Sequence, residues 1–147
     1  YVHANAGIDQ SNISSSETNP RVLLLPKDPD KSAEKLCDKL KTAQVSQLSI
    51  IINDSAGRAW RNGSIGFAIG TNGLKALENM IGHKDLYDRE MVVTEVAVAD
   101  ELAAAASFLM GQANESAPVV LIRGAKVKPS REGSGMLIRE KHKDLFR

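Results

Sequence analysis

The chain has a single cysteine, Cys37, among 147 residues, so no internal disulfide can form. Its three histidines, His3, His83 and His142, lie far apart, and no Cys/His cluster has the spacing of a structural zinc site. Charge of one sign is equally scarce: 19 Lys and Arg against 18 Asp and Glu leave a formal net charge of +1. A surface that neutralises many phosphates carries a clear positive excess, so duplex nucleic acid is excluded as a partner and a small nucleotide is not. No apolar run approaches the roughly 20 residues that span a bilayer, and the start lacks the charged-then-apolar order of a secretory leader. These absences indicate a reducing compartment, the cytoplasm, with no membrane residence. There is no internal repeat and no low-complexity tract.

What is present is 42% hydrophobic content in a chain long enough to bury one core. The apolar patterning predicts a single α+β unit over 1–147, a mixed sheet with packed helices. Residues 10–20 read as a loop and Val22–Leu25 as a short buried strand closed by Pro26. Asp28 is a candidate N-cap, with Pro29 in the first turn of a helix whose apolar face carries Ala33, Leu36, Cys37, Leu40 and Ala43. Leu48–Ile52 reads as a central strand that delivers Asp54 at its carboxyl end, followed by a strand at Ser64–Ile69 and a turn at Gly70–Gly73. Leu74–Ile81 is a short amphipathic stretch. Met91–Val93 and Pro118–Ile122 read as further strands. Ala99–Met110 is predicted helical, with Val98, Leu102, Ala105 and Leu109 on its apolar face and Gly111 as its stop. A tail bearing Leu145 and Phe146 is expected to dock on the body.

Chemistry concentrates in two runs. Ala4-Asn5-Ala6-Gly7-Ile8-Asp9-Gln10-Ser11-Asn12 and Asn53-Asp54-Ser55-Ala56-Gly57-Arg58 each place a carboxylate among small residues, amides and hydroxyls. Oxygen donors with room for phosphate oxygens and water suit a hard divalent cation such as Mg²⁺ or Mn²⁺. The plainer reading is that Asp9 and Asp54 cap turns by accepting nearby backbone N–H groups. Arg58 and Arg61 flank Trp60, a cluster fit to clamp a phosphate or carboxylate or to stack on a ring, or else a surface turn with a half-buried Trp. Cys37 reads as core packing, and Asp100 and Glu101 as favourable charges at a helix start.

The segments ANAGIDQSN, LLPKDPDKSA, IINDSAGRAWRNG, TEVAVADELAAAASFLMGQ and APVVLIRG, in this order and spacing, resemble the gamma-glutamyl ligase family of the deazaflavin coenzyme F420. The resemblance covers nearly the whole chain. It implies the C-terminal part of that ligase fold, with an upstream N-terminal region of the family absent before Tyr1, and an interwoven homodimer. It further implies a GTP-dependent ligase that adds L-glutamate to the deazaflavin precursor through an acyl phosphate, with two Mg²⁺ or Mn²⁺ ions. Carried over by position, Asp9 and Asp54 hold the first ion, Ser55 and Gln112 place the second, Asn12 contacts nucleotide, and the stretch Met110, Gly111, Gln112, Ala113, Asn114, Glu115, Ser116 and Ala117 forms a second nucleotide contact. Arg58 is the catalytic candidate, set to balance developing negative charge. The family usually has proline where Ala59 stands, which bears on loop rigidity rather than chemistry. Two alternatives stay open: a ligase of the same type acting on a folate, and a non-catalytic nucleotide-binding fragment.

Overall fold

The computed structural model describes residues 8–45 and 47–144. Residues Ala4–Gly7 of the first motif, and the tail residues Leu145 and Phe146, lie outside the described part. The order of elements is β1 (Ile8–Asp9), β2 (Leu23–Leu24), α1 (Pro29–Leu40), β3 (Ile50–Arg58), β4 (Arg61–Asn72), β5 (Glu78–Asn79), β6 (Glu95–Val96) and α2 (Val98–Met110), with 3₁₀ turns at Ser134–Leu137 and Lys141–Lys143. The class is α+β, as the patterning predicts. The sheet is not mixed, however: among the described residues the strands form three two-stranded sheets, each antiparallel.

The β3–β4 hairpin is the spine. It extends through Asp54–Gly57, beyond the strand end expected at Ile52, and through Gly70–Asn72, expected as a turn. These residues have poor intrinsic strand preference, and the cross-strand ladder overrides it: Asp54 pairs with Phe67 and Ala56 with Ile65. Asp54 therefore sits in the middle of a strand rather than at its carboxyl end.

Both helices pack on the hairpin, because β4 presents a face of minimal side chains. Gly66, Ala68 and Gly70 are buried at alternate positions. A Cβ at Gly70 would lie 2.5 Å from the Pro29 carbonyl carbon, and one at Gly66 would lie 2.8 Å from the Ala103 carbonyl oxygen. Helix α1 begins as predicted, with Asp28 accepting from the Lys31 N–H at 2.9 Å and proline in the first turn. Its buried residues are Ala33 and Cys37, whose thiol donates to the Leu48 carbonyl at 3.2 Å.

A bulge interrupts the ladder where Ile52 pairs with Gly70 and Asn53 with Ala68, leaving Ile69 extra. The helices staple this bulge. Asp100 in the first turn of α2 accepts from the Ala68 N–H at 2.9 Å, and Asp30 in the first turn of α1 accepts from the N–H groups of Thr71 at 2.7 Å and Ser134 at 2.9 Å. The Ser134 hydroxyl donates to the Ile69 carbonyl at 2.8 Å. Asp100 thus acts by holding sheet backbone, beyond the general preference of acidic residues for a helix start.

Several predicted features differ. The buried face of α2 is Ala99, Ala103 and Ser107, with Leu109 exposed, because close approach to glycine selects small residues over the bulkier apolar stripe. Val22–Leu25 was expected to be buried, and here Leu23 and Leu24 pair with β1 but stay exposed. Met91–Val93 and Pro118–Ile122 form no strand among the described residues: apolar composition favours burial, but a strand needs a partner ladder, and Val92, Val93, Val119 and Leu121 are exposed. The stretch 74–81 ends in β5, which with β6 closes the 80–94 excursion. Among the described residues Leu74 and Cys37 are the largest fully buried side chains, and the chain exposes 11576 Å². A compact monomer of 15.9 kDa exposes about 7,400 Å². Much apolar surface in this chain is therefore uncovered. No helix of the described residues is long and apolar enough to cross a membrane.

Candidate functional site

Strand alternation divides the polar residues of β3 between two faces. Asn53 and Ser55 face α2: the Asn53 amide donates to the Met110 sulfur at 3.7 Å, and the Ser55 hydroxyl donates to Gln112 Oε1 at 3.0 Å. Ser55 and Gln112 are 57 positions apart in the chain, and the end of α2 brings them together. Gln112 in turn donates through Nε2 to the Ser107 hydroxyl at 3.0 Å. The helix stops here because Gly111 has φ of 78°, a conformation that glycine adopts without a Cβ penalty.

The rest of the predicted nucleotide stretch forms the loop leaving α2. The Glu115 carboxylate accepts from the Ala113 N–H at 2.8 Å, and this bond leads the backbone contacts that hold its pKa below the usual carboxylate value. A side chain at position 111 would run into the Glu115 carboxyl group. Ser116 has φ of 54°, and Asn114 and Ala113 are exposed. Met110 is half-buried against Asn53 and Ala117 is half-buried further along.

Asp54 lies on the opposite face of the hairpin from Ser55, with its Oδ1 accepting from the Ser55 N–H at 2.7 Å. The register shift near the tip falls on Asn62 and Gly63 of β4, so alternation along β3 carries the Asp54 face on to Arg58. Three residues of strand lie between the two, about 13 Å from Asp54 to Arg58. The Arg58 Nη1 atom is buried and has no hydrogen-bond partner among the described residues. A buried guanidinium nitrogen without a partner is costly, and an anionic ligand is the natural group to satisfy it. Trp60, at the tip between β3 and β4, is 87% exposed rather than half-buried and has φ of 59°, a left-handed conformation unusual for an aromatic residue.

Asp9 and Asn12 sit on a separate element. Asp9 Oδ1 accepts from both the Ser11 hydroxyl at 2.6 Å and the Ser11 N–H at 2.7 Å. The hydroxyl bond, followed by the backbone bond, lowers its pKa and keeps it ionised. The turn-capping reading of Asp9 is thus realised in this geometry, which leaves its charge available. Asn12 is exposed with φ of 52°. Among the described residues no ladder joins β1 to the hairpin that carries Asp54. Among the described residues the fold unites Ser55 with Gln112, and places Asp54 and Arg58 on one face of β3.

No group of three or more His, Cys, Asp or Glu side chains converges among the described residues. The donors at the strand and helix end are instead a hydroxyl and an amide oxygen. They fit a hard cation: cis ligands of an octahedral ion at about 2.1 Å lie about 3.0 Å apart. In this structure the 3.0 Å between Ser55 Oγ and Gln112 Oε1 is the hydrogen bond that Ser55 donates. Ser107 escaped the sequence reading, and Asn53 entered it only as an amide of the second motif with no role assigned. The only signal for Ser107 was a lone hydroxyl within the run Ala103-Ala104-Ala105-Ala106-Ser107.

One face of β3 thus gathers Ser55 with the end of α2, the other carries the buried Arg58 nitrogen suited to an anion, and the related proteins are a class of ligases. Residues 1–124 match the family described as F420-0:Gamma-glutamyl ligase, and the chain belongs to that family. It is 47% identical over 148 aligned positions to the coenzyme F420:L-glutamate ligase of Methanocaldococcus jannaschii, covering 100% of this chain and 57% of that protein. Against the proteins of the same name from Methanothermobacter thermautotrophicus and Archaeoglobus fulgidus the identities are 46% and 44%, covering 100% and 99% of this chain and 58% and 57% of theirs. The chain thus spans somewhat over half the length of these relatives.

Proposed function

We propose that this chain carries the cation and phosphate machinery of a GTP-dependent ligase that adds L-glutamate to a deazaflavin coenzyme precursor. A carboxylate is a poor electrophile, so the acceptor is first phosphorylated by GTP. The glutamate amine then attacks the acyl phosphate, and phosphate and GDP leave. Ser55 and Gln112 would hold one Mg²⁺ or Mn²⁺ ion, and Asp54 with Asp9 a second. Bound there, such ions supply charge neutralisation for the triphosphate and the transferring phosphoryl group. Asn12 and the loop 110–117 contact the nucleotide. A helix C-terminus repels bare phosphate, so the loop suits base, ribose or cation. Arg58 faces the developing negative charge.

The observation that carries this reading is the convergence of Ser55 and Gln112 at 3.0 Å in a chain that belongs to this ligase family. In the homodimer that the family resemblance implies, a second copy would meet exposed apolar side chains such as Val119, Leu121 and Phe108. The cytoplasm is the compartment that the lone buried cysteine fits.

The test is Arg58→Gln. Turnover, measured as GDP release dependent on glutamate and acceptor, falls about 10²–10³-fold, the usual cost of removing one preorganised donor to a transition-state charge. Thermal stability is maintained, since the change removes a buried unpaired group. Turnover at the unsubstituted rate contradicts the role.

A further inference from the structure

The loop that leaves α2 is closed by one of its own side chains. Beyond the helix stop at Gly111, the Ala113 N–H meets no backbone carbonyl among the described residues. A main-chain donor needs a partner, and here a side chain supplies it. The Glu115 carboxylate accepts from the Ala113 N–H at 2.8 Å, and the N–H groups of Glu115 itself and of Gln112 approach the same carboxylate. The polarity of these contacts is fixed, because a backbone N–H only donates and an ionised carboxylate only accepts.

Gly111 provides the seat. A Cβ there would lie 2.5 Å from both carboxylate oxygens of Glu115. The glycine therefore serves twice: its φ of 78° ends the helix, and its missing side chain leaves room for the carboxylate to fold back over the turn. Ser116, with φ of 54°, redirects the chain immediately afterwards. Glu115 is thus committed to its own loop, while the side chains of Gln112 and Asn114 stay exposed to meet a ligand. A loop already fixed in its bound shape loses less conformational freedom when the ligand arrives.

We infer that Glu115 is a positioning residue: its carboxylate, seated over Gly111 and bound to the Ala113 N–H, fixes the loop 111–115 in the shape that receives the nucleotide, without touching the nucleotide itself. This rests on the proposed nucleotide role of the loop. It goes further in separating the residue that shapes the loop from those that meet the ligand.

The test measures GTP binding by calorimetry and exchange of the Ala113 amide proton by NMR, in the unsubstituted protein and in Glu115→Ala and Glu115→Gln. In Glu115→Ala the Ala113 amide exchanges faster and GTP binding weakens about 10–100-fold, the span of hydrogen bonds to a charged group. The amides of α2 keep their protection and the melting temperature hardly moves, because the change is confined to the loop. Glutamine keeps an oxygen acceptor without the charge, so Glu115→Gln falls between the alanine variant and the unsubstituted protein. A carboxylate lying against the phosphates instead would repel them, and Glu115→Gln would then bind GTP more tightly. Tighter binding in that variant, unchanged binding in Glu115→Ala, or weaker binding with the Ala113 amide unaltered overturns the positioning role and leaves the nucleotide reading standing. Loss of protection throughout α2 with a lower melting temperature marks a general structural residue and overturns it equally. No GTP bound by the unsubstituted protein overturns the nucleotide reading, and the proposal with it.

Discussion

Asp54→Asn leaves the protein folded and lowers its turnover by about 10³-fold or more, the scale on which phosphoryl transfer depends on charge stabilisation. The substitution is close to isosteric. Asparagine keeps an oxygen that can accept from the Ser55 N–H, the one local bond that Asp54 Oδ1 makes at 2.7 Å. The strand pairing with Phe67 is a backbone matter and is unaffected. What disappears is the negative charge, on which attraction for a hard divalent ion rests. Metal-dependent GTP binding, followed by calorimetry with and without Mn²⁺, is therefore lost together with turnover, while melting temperature hardly moves. A variant that turns over normally shows that Asp54 is no more than a strand residue.

The second large effect is structural. Gly70→Ala destabilises the protein by at least about 3 kcal/mol, the upper range for overpacking, because the new methyl group meets backbone. Its nearest neighbours would be the carbonyl carbon, Cβ and carbonyl oxygen of Pro29 at 2.5, 2.6 and 2.6 Å. Pro29 opens α1 and is tied by the Asp28 cap, so relief requires moving the helix off the sheet. That movement would also separate Asp30 from the Thr71 N–H. Gly57→Ala is the internal control: nothing lies within 4 Å of its Cβ position, and the change stays within about 1 kcal/mol. Urea denaturation of both variants checks the contrast, and equal midpoints would contradict the packing described for β4.

How much of this was legible beforehand follows from which interactions are local. The start of α1 at Asp28-Pro29 and the stop of α2 at Gly111 are decided within one turn of chain, and both were readable. The run from Asp54 to Gly57 lay beyond the expected strand end because its residues are poor strand formers, and only the partner strand, with Phe67 and Ile65 opposite, makes it a strand. The buried face of α2 was misjudged for a related reason. Periodicity weights Leu102 and Leu109, whereas the glycines of β4 admit Ala99, Ala103 and Ser107. At the site, motif resemblance nominated Ser55 and Gln112 as neighbours, and the fold joins them. Ser107 and the stapling roles of Asp30 and Asp100 depend on contacts between elements that no local pattern encodes. Asp9 and Asn12 are likewise readable as motif residues, but their relation to Asp54 is not carried by any strand pairing.

The most direct measurement is to incubate the protein with GTP, Mn²⁺, L-glutamate and the deazaflavin precursor, with a folate in a parallel reaction, and to read the products by mass spectrometry. A glutamyl increment on the deazaflavin, accompanied by GDP and dependent on Mn²⁺, is the predicted result. An increment on the folate alone, or GTP bound with no increment on either acceptor, would contradict it.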